Sequence, residues 1–229
     1  MAYHTGPKIV TDGLVLCLDA ADRNSYPLTG STWYDLSGNA NNGTITGATF
    51  DSGNNGSFSF DGTNDKGTFT SPINETSNQT YEVWTNAIAS ASADNGFAYI
   101  LHNNSADSTT GNSYLTIGIR PTQEYYAALN GAYSNMSSGV TASNSNIVQI
   151  ILTWDGTTQK MYINGDLKNS DSLSTTPQNF STTTSFGDYV SLTYRMIQGN
   201  LYSIKVYNKA LSANEVLQNY NATKGRFGL

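Results

Sequence analysis

IVQIILTWDGTTQKMYINGDL, residues 147–167, decides the fold, because an apolar run is followed by a polar turn and a second, alternating run. The first run is rich in β-branched and aromatic residues, which pack well on a pleated surface. Asp155 and Gly156 then supply turn chemistry, and Asn164-Gly165 is the strongest short hairpin signal in the chain. The stretch therefore predicts two successive antiparallel hairpins with a central, buried first strand, and hence an all-β sandwich.

The composition fits one β domain. The chain has 229 residues, of which 38% are hydrophobic and only 12% charged, so Ser, Thr, Asn and Gly must form most of the polar surface. A β-sandwich of this length is often a single domain, and it can bury enough apolar surface to be stable without disulfides. We predict an N-terminal arm at residues 1–12 and one sandwich domain at residues 13–229.

Short strands and one terminal helix complete the predicted architecture. Residues 13–20 are apolar on both faces and predict an interior strand. Ser212 with Glu215 forms a capping box, and Leu211 with Val216 a hydrophobic staple, so a short helix begins there. Other strands are predicted at residues 44–46, 48–50, 57–60, 67–70, 79–86, 97–102, 114–119, 124–129, 133–136, 185–187 and 197–207, with a polar connection at 170–183. This order predicts an antiparallel two-sheet jelly roll with one short C-terminal helix.

Charge and targeting signals argue against several classes of function. The net charge is −6, and the 11 Lys and Arg residues form no basic run, so we expect no nucleic-acid binding. No apolar run approaches the roughly 18 residues of a membrane span, and the N-terminus lacks the apolar region of a signal peptide. We therefore expect synthesis in a cytoplasm without export. The single cysteine, Cys17, lies in an apolar strand and is interpreted as a small buried hydrophobe.

Catalytic groups are sparse. Retaining glycoside hydrolysis needs two carboxylates about 5–5.5 Å apart. The chain has four glutamates, none with a partner at a suitable spacing, and Glu215 belongs to the cap. Glu82 lies alone on its strand beside Trp84, and we interpret it as a satisfied structural group. His4 and His102 are scattered and interpreted as surface residues, so we expect a protein that is not an enzyme and requires no cofactor.

Six fragments occur in an order that resembles one family. They are GLVLCLDAAD, TWYDLSGNANNGT, SFSFDGTND, TYEVWTN, ILTWDGTTQKMYINGDL and GNLYSIKVYNKALSANEV. Together they resemble the concanavalin A-like, laminin G type of jelly roll, from Gly13 to about Tyr220. The opening GLVLCLDAADRNSY and the closing ALSANEVLQNYNATKGRFG further resemble laminin G-like structural proteins of tailed bacteriophages, especially marine ones. That resemblance implies a non-enzymatic virion surface protein, made in the host cytoplasm, that decorates the capsid or belongs to a tail or fibre.

The resemblance also implies partners. Virion surface positions are symmetric, so we expect other virion proteins as partners and a homo-oligomer, with a trimer as the first expectation. Residues 1–12 and 224–229 are the expected contacts with neighbouring subunits. The alternative function is a carbohydrate-binding module that recognises host-surface glycans. A glycoside hydrolase or lyase ranks third.

A calcium site is the first candidate site. Many laminin G-like domains hold Ca²⁺ at a sandwich rim, and hard oxygen ligands suit that ion. Asp61, Asn64 and Asp65 lie together in one turn and are the candidate ligands. The alternative is that these residues only form an Asx-type turn.

A glycan-binding surface is the second candidate site. Glycan binding needs exposed aromatic side chains as stacking platforms beside polar hydrogen-bonding groups. Tyr125, Tyr126 and Tyr133 are the candidates. The alternative is that these aromatic residues belong to the core or to a subunit interface.

Overall fold

The chain forms two antiparallel β-sheets and one α-helix in a computed structural model. The structure describes residues 7–53, 55–73, 78–105, 113–129, 136–173, 180–188 and 195–229. The strands are β1 (Leu14–Asp19), β2 (Thr32–Trp33), β3 (Gly43–Thr46), β4 (Thr49–Asp51), β5 (Ser57–Asp61), β6 (Lys66–Thr70), β7 (Gln79–Thr85), β8 (Ile88–Ala89), β9 (Ala98–Ser105), β10 (Ser113–Ile119), β11 (Glu124–Leu129), β12 (Ser137–Thr141), β13 (Val148–Trp154), β14 (Thr158–Ile163), β15 (Asp166–Ser172), β16 (Phe180–Phe186) and β17 (Ile197–Tyr207). The helix α1 is Ala213–Thr223, and 3-10 helices lie at Asp94–Gly96 and Lys224–Phe227.

The two sheets pack face to face as a jelly-roll sandwich, which confirms the predicted fold class. The first sheet has the order β15-β14-β13-β7-β17-β5-β4, with β1 and β8 also paired to β17. The second sheet has the order β12-β11-β10-β9-β16-β6-β3-β2. Within the described residues, no helix has the length and apolar character that crossing a membrane would require.

The stretch at residues 147–167 forms the predicted hairpins. β13 pairs with β7 on one side and with β14 on the other, and every one of its side chains is buried. Asn164 (φ 54°) and Gly165 (φ 84°) both adopt left-handed backbone conformations, as the tight turn between β14 and β15 requires. In the first turn, the backbone amide of Thr158 donates to Asp155 Oδ1 at 2.8 Å, and this bond lowers the pKa of Asp155. The prediction of a central buried strand is confirmed.

The core between the sheets is rich in aromatic rings. Trp33 lies at 4.9 Å from Phe58 and at 5.7 Å from Phe186, between ring centroids, and both pairs are edge-to-face. Gly67 faces this cluster, because a Cβ atom there would lie 2.0 Å from the Phe186 ring. The aromatic packing therefore depends on a glycine in β6.

Strand β1 differs from its prediction. Among the described strands, β1 pairs only with β17. Its other edge has no neighbouring strand in the described part of the chain, so β1 is not the predicted interior strand. A loop covers the other edge: the Cys17 amide donates to Asp35 Oδ1 at 2.8 Å, and the Leu36 amide donates to the Cys17 carbonyl at 2.9 Å. The apolar sequence pattern of β1 indicates that both of its faces are buried, but it does not indicate what bonds to its edges.

Two boundaries also differ. The predicted polar connection at residues 170–183 is wrong at both ends, because β15 runs to Ser172 and β16 begins at Phe180. These strand segments are rich in Ser and Thr, so their polar sequence resembles a loop. The strand predicted at 133–136 falls largely on residues 130–135, which lie outside the described part of the chain, and β12 follows it at Ser137–Thr141.

The C-terminal helix packs on the outer face of the first sheet and adds a third layer there. The predicted capping box is present: Ser212 Oγ accepts from the Glu215 amide at 3.4 Å, and Glu215 Oε2 accepts from the Ser212 amide at 2.8 Å. Val216 and Leu211 are buried in one cluster with Val10. The Val10 amide donates to Asn219 Oδ1 at 2.8 Å, so part of the predicted arm lies against the helix.

Candidate functional site

The predicted calcium ligands lie in a tight turn after β5. Asp65 Oδ2 accepts from the Asp61 amide at 2.9 Å, and Asp61 Oδ1 accepts from the Thr63 amide at 2.7 Å. Asp65 is buried, which raises the pKa of its carboxyl group, whereas Asn64 is exposed. These bonds are those of an Asx-type turn. The described residues hold no cluster of three or more His, Cys, Asp or Glu side chains, and calcium binding by this turn stays a prediction.

Two of the predicted glycan-binding tyrosines are buried. Tyr125 is 0% exposed and belongs to the core, where burial raises its pKa to about 12. Tyr126 is 1% exposed and points to the opposite face of β11, with Phe97 against its edge at 6.1 Å and Arg120 over its ring at 5.4 Å. Neither ring is an exposed stacking platform, so that prediction is wrong for both, because each face of β11 is covered. Tyr133 lies outside the described residues.

Glu82 is the centre of a buried polar network on the outer face of the first sheet. It is 0% exposed. Its Oε1 accepts from Lys205 Nζ at 2.9 Å, Trp84 Nε1 at 3.0 Å and Gln149 Nε2 at 3.2 Å, and its Oε2 accepts from Asn219 Nδ2 at 2.8 Å. The donors come from three strands and from α1. The interpretation of Glu82 as a satisfied structural group is confirmed.

Strand register places a cation and a thiol beside this carboxylate. Lys205 of β17 is paired with Glu82 of β7 on one side and with Cys17 of β1 on the other. Burial lowers the pKa of Lys205, but the charge and the hydrogen bond of Glu82 act with neighbouring groups in the opposite direction, and the pKa is raised overall. Burial raises the pKa of the Cys17 thiol to about 11, so the thiol stays protonated and is a poor nucleophile at neutral pH.

A cavity of about 440 Å³ lies next to Cys17 and Lys205, between β1, β17 and the C-terminal end of α1. Four charged side chains line it: Asp19, Asp22, Lys205 and Arg226. Leu36 at its rim is exposed, whereas Lys205 is only 4% exposed. A concave site with convergent polar groups and a buried charge is the kind of feature that binds small ligands. We call it the helix-end cavity and take it as the candidate site.

Arg226 fixes one wall of the helix-end cavity. Its Nη1 donates to Asp19 Oδ1 at 2.8 Å, and its Nη2 donates to the carbonyls of Asn55 at 2.7 Å and Gly56 at 2.8 Å. Planar guanidinium groups hold such forked bonds rigidly. The segment after α1 is therefore tied to β1 and to the start of β5.

Sequence reasoning missed the helix-end cavity. Its charged residues come from opposite ends of the chain, and Asp19 and Arg226 are 207 positions apart. One signal was present: Lys205 is a charge inside the apolar strand YSIKVY, as Glu82 is inside TYEVW. A charged side chain at a buried strand position needs a partner of opposite charge, so the sequence indicates that Lys205 and Glu82 pair with each other.

The two packed antiparallel sheets define the protein as a jelly-roll β-sandwich. A family model described as the concanavalin A-like lectin/glucanases superfamily, laminin G type, matches residues 61–217, more than half of the chain. The chain therefore belongs to this laminin G family of the concanavalin A-like superfamily. Comparison with curated protein sequences finds no significant match.

Solved structures share the fold at low identity. A Trypanosoma rangeli sialidase in complex with sialic acid is 15% identical, with a TM-score of 0.70 over 93% of this chain and 33% of the sialidase chain. The binding domain of Paraclostridial Mosquitocidal Protein 1 is 16% identical, with a TM-score of 0.68 over 93% of this chain and 52% of that chain. The binding domain of botulinum neurotoxin serotype D is 18% identical, with a TM-score of 0.64 over 92% and 52%. This chain spans between a third and about half of the length of these proteins.

Proposed function

We propose that the protein is a non-enzymatic carbohydrate-binding domain. The observation that carries the proposal is the helix-end cavity, in which carboxylates and cations converge on a space of about 440 Å³. Sugar hydroxyls both donate and accept hydrogen bonds, so a lining of this kind suits them. Membership of a superfamily named for lectins and glucanases is consistent with carbohydrate as the ligand.

The proposal that the protein is not an enzyme rests on the hydrogen bonds that its carboxylates already accept. Glycoside hydrolysis needs one carboxyl group to give a proton and a second to attack or to activate water. Glu82 already accepts four hydrogen bonds and is sealed beneath α1, and Asp19 is held by Arg226. We infer that neither acts as the acid or the nucleophile, which leaves Asp22 among the described cavity residues as a single carboxylate where hydrolysis needs two. Incubation of the protein with chromogenic glycosides should release no product above a buffer control, and measurable turnover would overturn this part.

A glycan array tests the binding function. The purified chain, labelled at an exposed lysine, should bind a subset of neutral glycans and give no signal after thermal denaturation. Positive glycans are then titrated in solution by calorimetry to exclude surface artefacts. Failure to bind any glycan on the array, with the chain shown to be folded by circular dichroism, would contradict the proposal.

A second proposal places the domain on a virion surface, as capsid decoration or as part of a tail or fibre. The two fragments that resemble phage structural proteins, residues 13–26 and 210–228, meet in space. Arg226 joins Asp19 at 2.8 Å, and both fragments line the helix-end cavity. The two fragments therefore pack together as one structural unit.

The virion proposal has its own tests. Mass spectrometry of purified particles should detect the chain, and its absence would remove the proposal. Light scattering should give a homo-oligomer, with a trimer expected from the symmetry of virion positions.

We also propose that the fold requires no cofactor, so the thermal midpoint should be equal in EDTA and in buffer. A thermal midpoint that rises with added Ca²⁺ in the natural protein, but not in Asp65→Asn, would instead support the calcium site at Asp61, Asn64 and Asp65.

A further inference from the structure

The buried ammonium of Lys205 is incompletely bonded where it lines the helix-end cavity. A lysine ammonium carries three donors. Within the described part of the chain, Lys205 Nζ donates to one acceptor, Glu82 Oε1 at 2.9 Å, and its side chain is 4% exposed. A buried donor without an acceptor is costly, commonly about 1–3 kcal/mol and more for a charged group. The Lys205 ammonium group therefore favours a ligand atom that accepts hydrogen bonds.

The lining of the cavity also offers acceptors. Asp19 Oδ1 is bonded to Arg226 and to the Ala21 amide, and Asp22 Oδ1 accepts from the Asn24 amide at 2.8 Å. In the described residues, the second carboxylate oxygen of each aspartate has no hydrogen bond of its own. These oxygens can accept from a ligand that donates. A ligand that fits must therefore carry groups that both donate and accept hydrogen bonds, as hydroxyl groups do.

The charge around the cavity decides between neutral and anionic ligands. Lys205 and Arg226 contribute two positive charges, whereas Asp19, Asp22 and the adjacent Glu82 contribute three negative charges. The sum over these five groups is one negative charge, and both cations are already paired, Lys205 with Glu82 and Arg226 with Asp19, so an added carboxylate would be repelled. A neutral hydroxylated ring makes the same hydrogen bonds without that repulsion.

The geometry points to a neutral sugar ring, the terminal residue of a glycan, as the ligand of the helix-end cavity. This inference rests on the proposed carbohydrate-binding function and names its site and ligand class. The ring hydroxyls accept from Lys205 and donate to Asp19 and Asp22. The apolar side chains of Ile9, Leu36 and Ala222 contact the C–H groups of the ring. A carboxylated sugar such as sialic acid is disfavoured, because both cations of the cavity are already paired with carboxylates.

The test compares two matched aspartates. Asp22→Asn changes a cavity carboxylate whose Oδ1 caps the amide two residues later, at 2.8 Å. Asp51→Asn changes an exposed carboxylate that makes the same bond to the Gly53 amide, also at 2.8 Å, but does not line the cavity. Both variants should fold, as checked by thermal melts. Galactose, glucose, mannose, N-acetylglucosamine and sialic acid, with any glycans positive on the array, serve as probes by saturation-transfer NMR and calorimetry.

The expected result is that at least one neutral sugar binds, that sialic acid does not, and that Asp22→Asn weakens binding at least tenfold while Asp51→Asn leaves it unchanged. Ala222→Leu, which fills the cavity without changing a charge, should weaken binding to a similar extent. If glycans bind but neither Asp22→Asn nor Ala222→Leu matters, the site is wrong while the carbohydrate-binding function stands. Binding of sialic acid alone would overturn the ligand class. If no sugar or array glycan binds, both the inference and the proposed function fail.

Discussion

The buried ion pair between Lys205 and Glu82 should dominate the response of the fold to single substitutions. The two groups lie 2.9 Å apart, and their side chains are 4% and 0% exposed. Lys205→Met removes the cation and leaves a carboxylate with only neutral donors, from Trp84, Gln149 and Asn219. Breaking such a pair on one side typically costs about 3–5 kcal/mol of unfolding free energy. We expect a loss in that range, because the carboxylate remains buried beneath α1.

A double-mutant cycle separates the charge from the packing. Glu82→Gln with Lys205→Met removes both charges and keeps an oxygen that accepts from Trp84 and Gln149. The remaining defect is an amide N–H facing Asn219, worth about 1–3 kcal/mol for an unsatisfied buried donor. The double variant should therefore be more stable than Lys205→Met alone. The measurement is urea unfolding at pH 7 followed by circular dichroism and tryptophan fluorescence. A loss below about 1 kcal/mol for Lys205→Met, or a double variant that is no more stable than Lys205→Met alone, would refute the reasoning.

Three further predictions concern packing, capping and pH. Gly67→Ala places a Cβ atom 2.0 Å from the Phe186 ring and should cost about 1–3 kcal/mol by urea unfolding, whereas Gly225→Ala, with no atom within 4 Å, should be nearly neutral. Ser212→Ala removes the cap of α1 and should cost about 0.5–2 kcal/mol, and an unchanged midpoint would argue against the capping box. His102 is buried, so the prediction that it is a surface residue is wrong. Burial, reinforced by the charge of Arg195, lowers the pKa of His102 from 6.5 to about 3. The unfolded chain therefore gains a proton first, and stability falls as the pH drops below about 6.5, by up to about 1.36 kcal/mol per unit. His102→Gln should flatten that acid limb of a stability-versus-pH series, and an identical slope in both proteins would contradict the assignment.

Local signals explain which parts of the fold could be predicted. The hairpins of β13, β14 and β15 depend on residues adjacent in sequence, and Asn164-Gly165 supplies the positive φ angles that the turn needs. The capping box of α1 is equally local, with Ser212 and Glu215 in bonding contact. Pairing partners are not local. The pattern of β1 correctly indicates two buried faces, but it cannot show that a loop, rather than a strand, bonds its free edge through Asp35.

Surface sites were harder to predict, because strand alternation assigns a side chain to a face without stating what covers that face. Tyr125 and Tyr126 fall on opposite faces of β11, and both are covered, the first by the core and the second by Phe97 and Arg120. An aromatic residue on a strand therefore does not predict a platform. The helix-end cavity was inaccessible for another reason, since it forms only when α1 folds back over β1.

Isolated charges inside apolar strands are a better guide to such sites than aromatic residues are. Lys205 and Glu82 are of opposite sign, each flanked by apolar residues, and burying either without the other would be prohibitive. That constraint predicts that the two side chains lie close together, and the structure achieves this by pairing β17 with β7 in register. It also predicts that the face carrying the pair is covered, here by α1, which donates through Asn219. The helix-end cavity lies beside this pair, because Lys205 and the C-terminal end of α1 both line it.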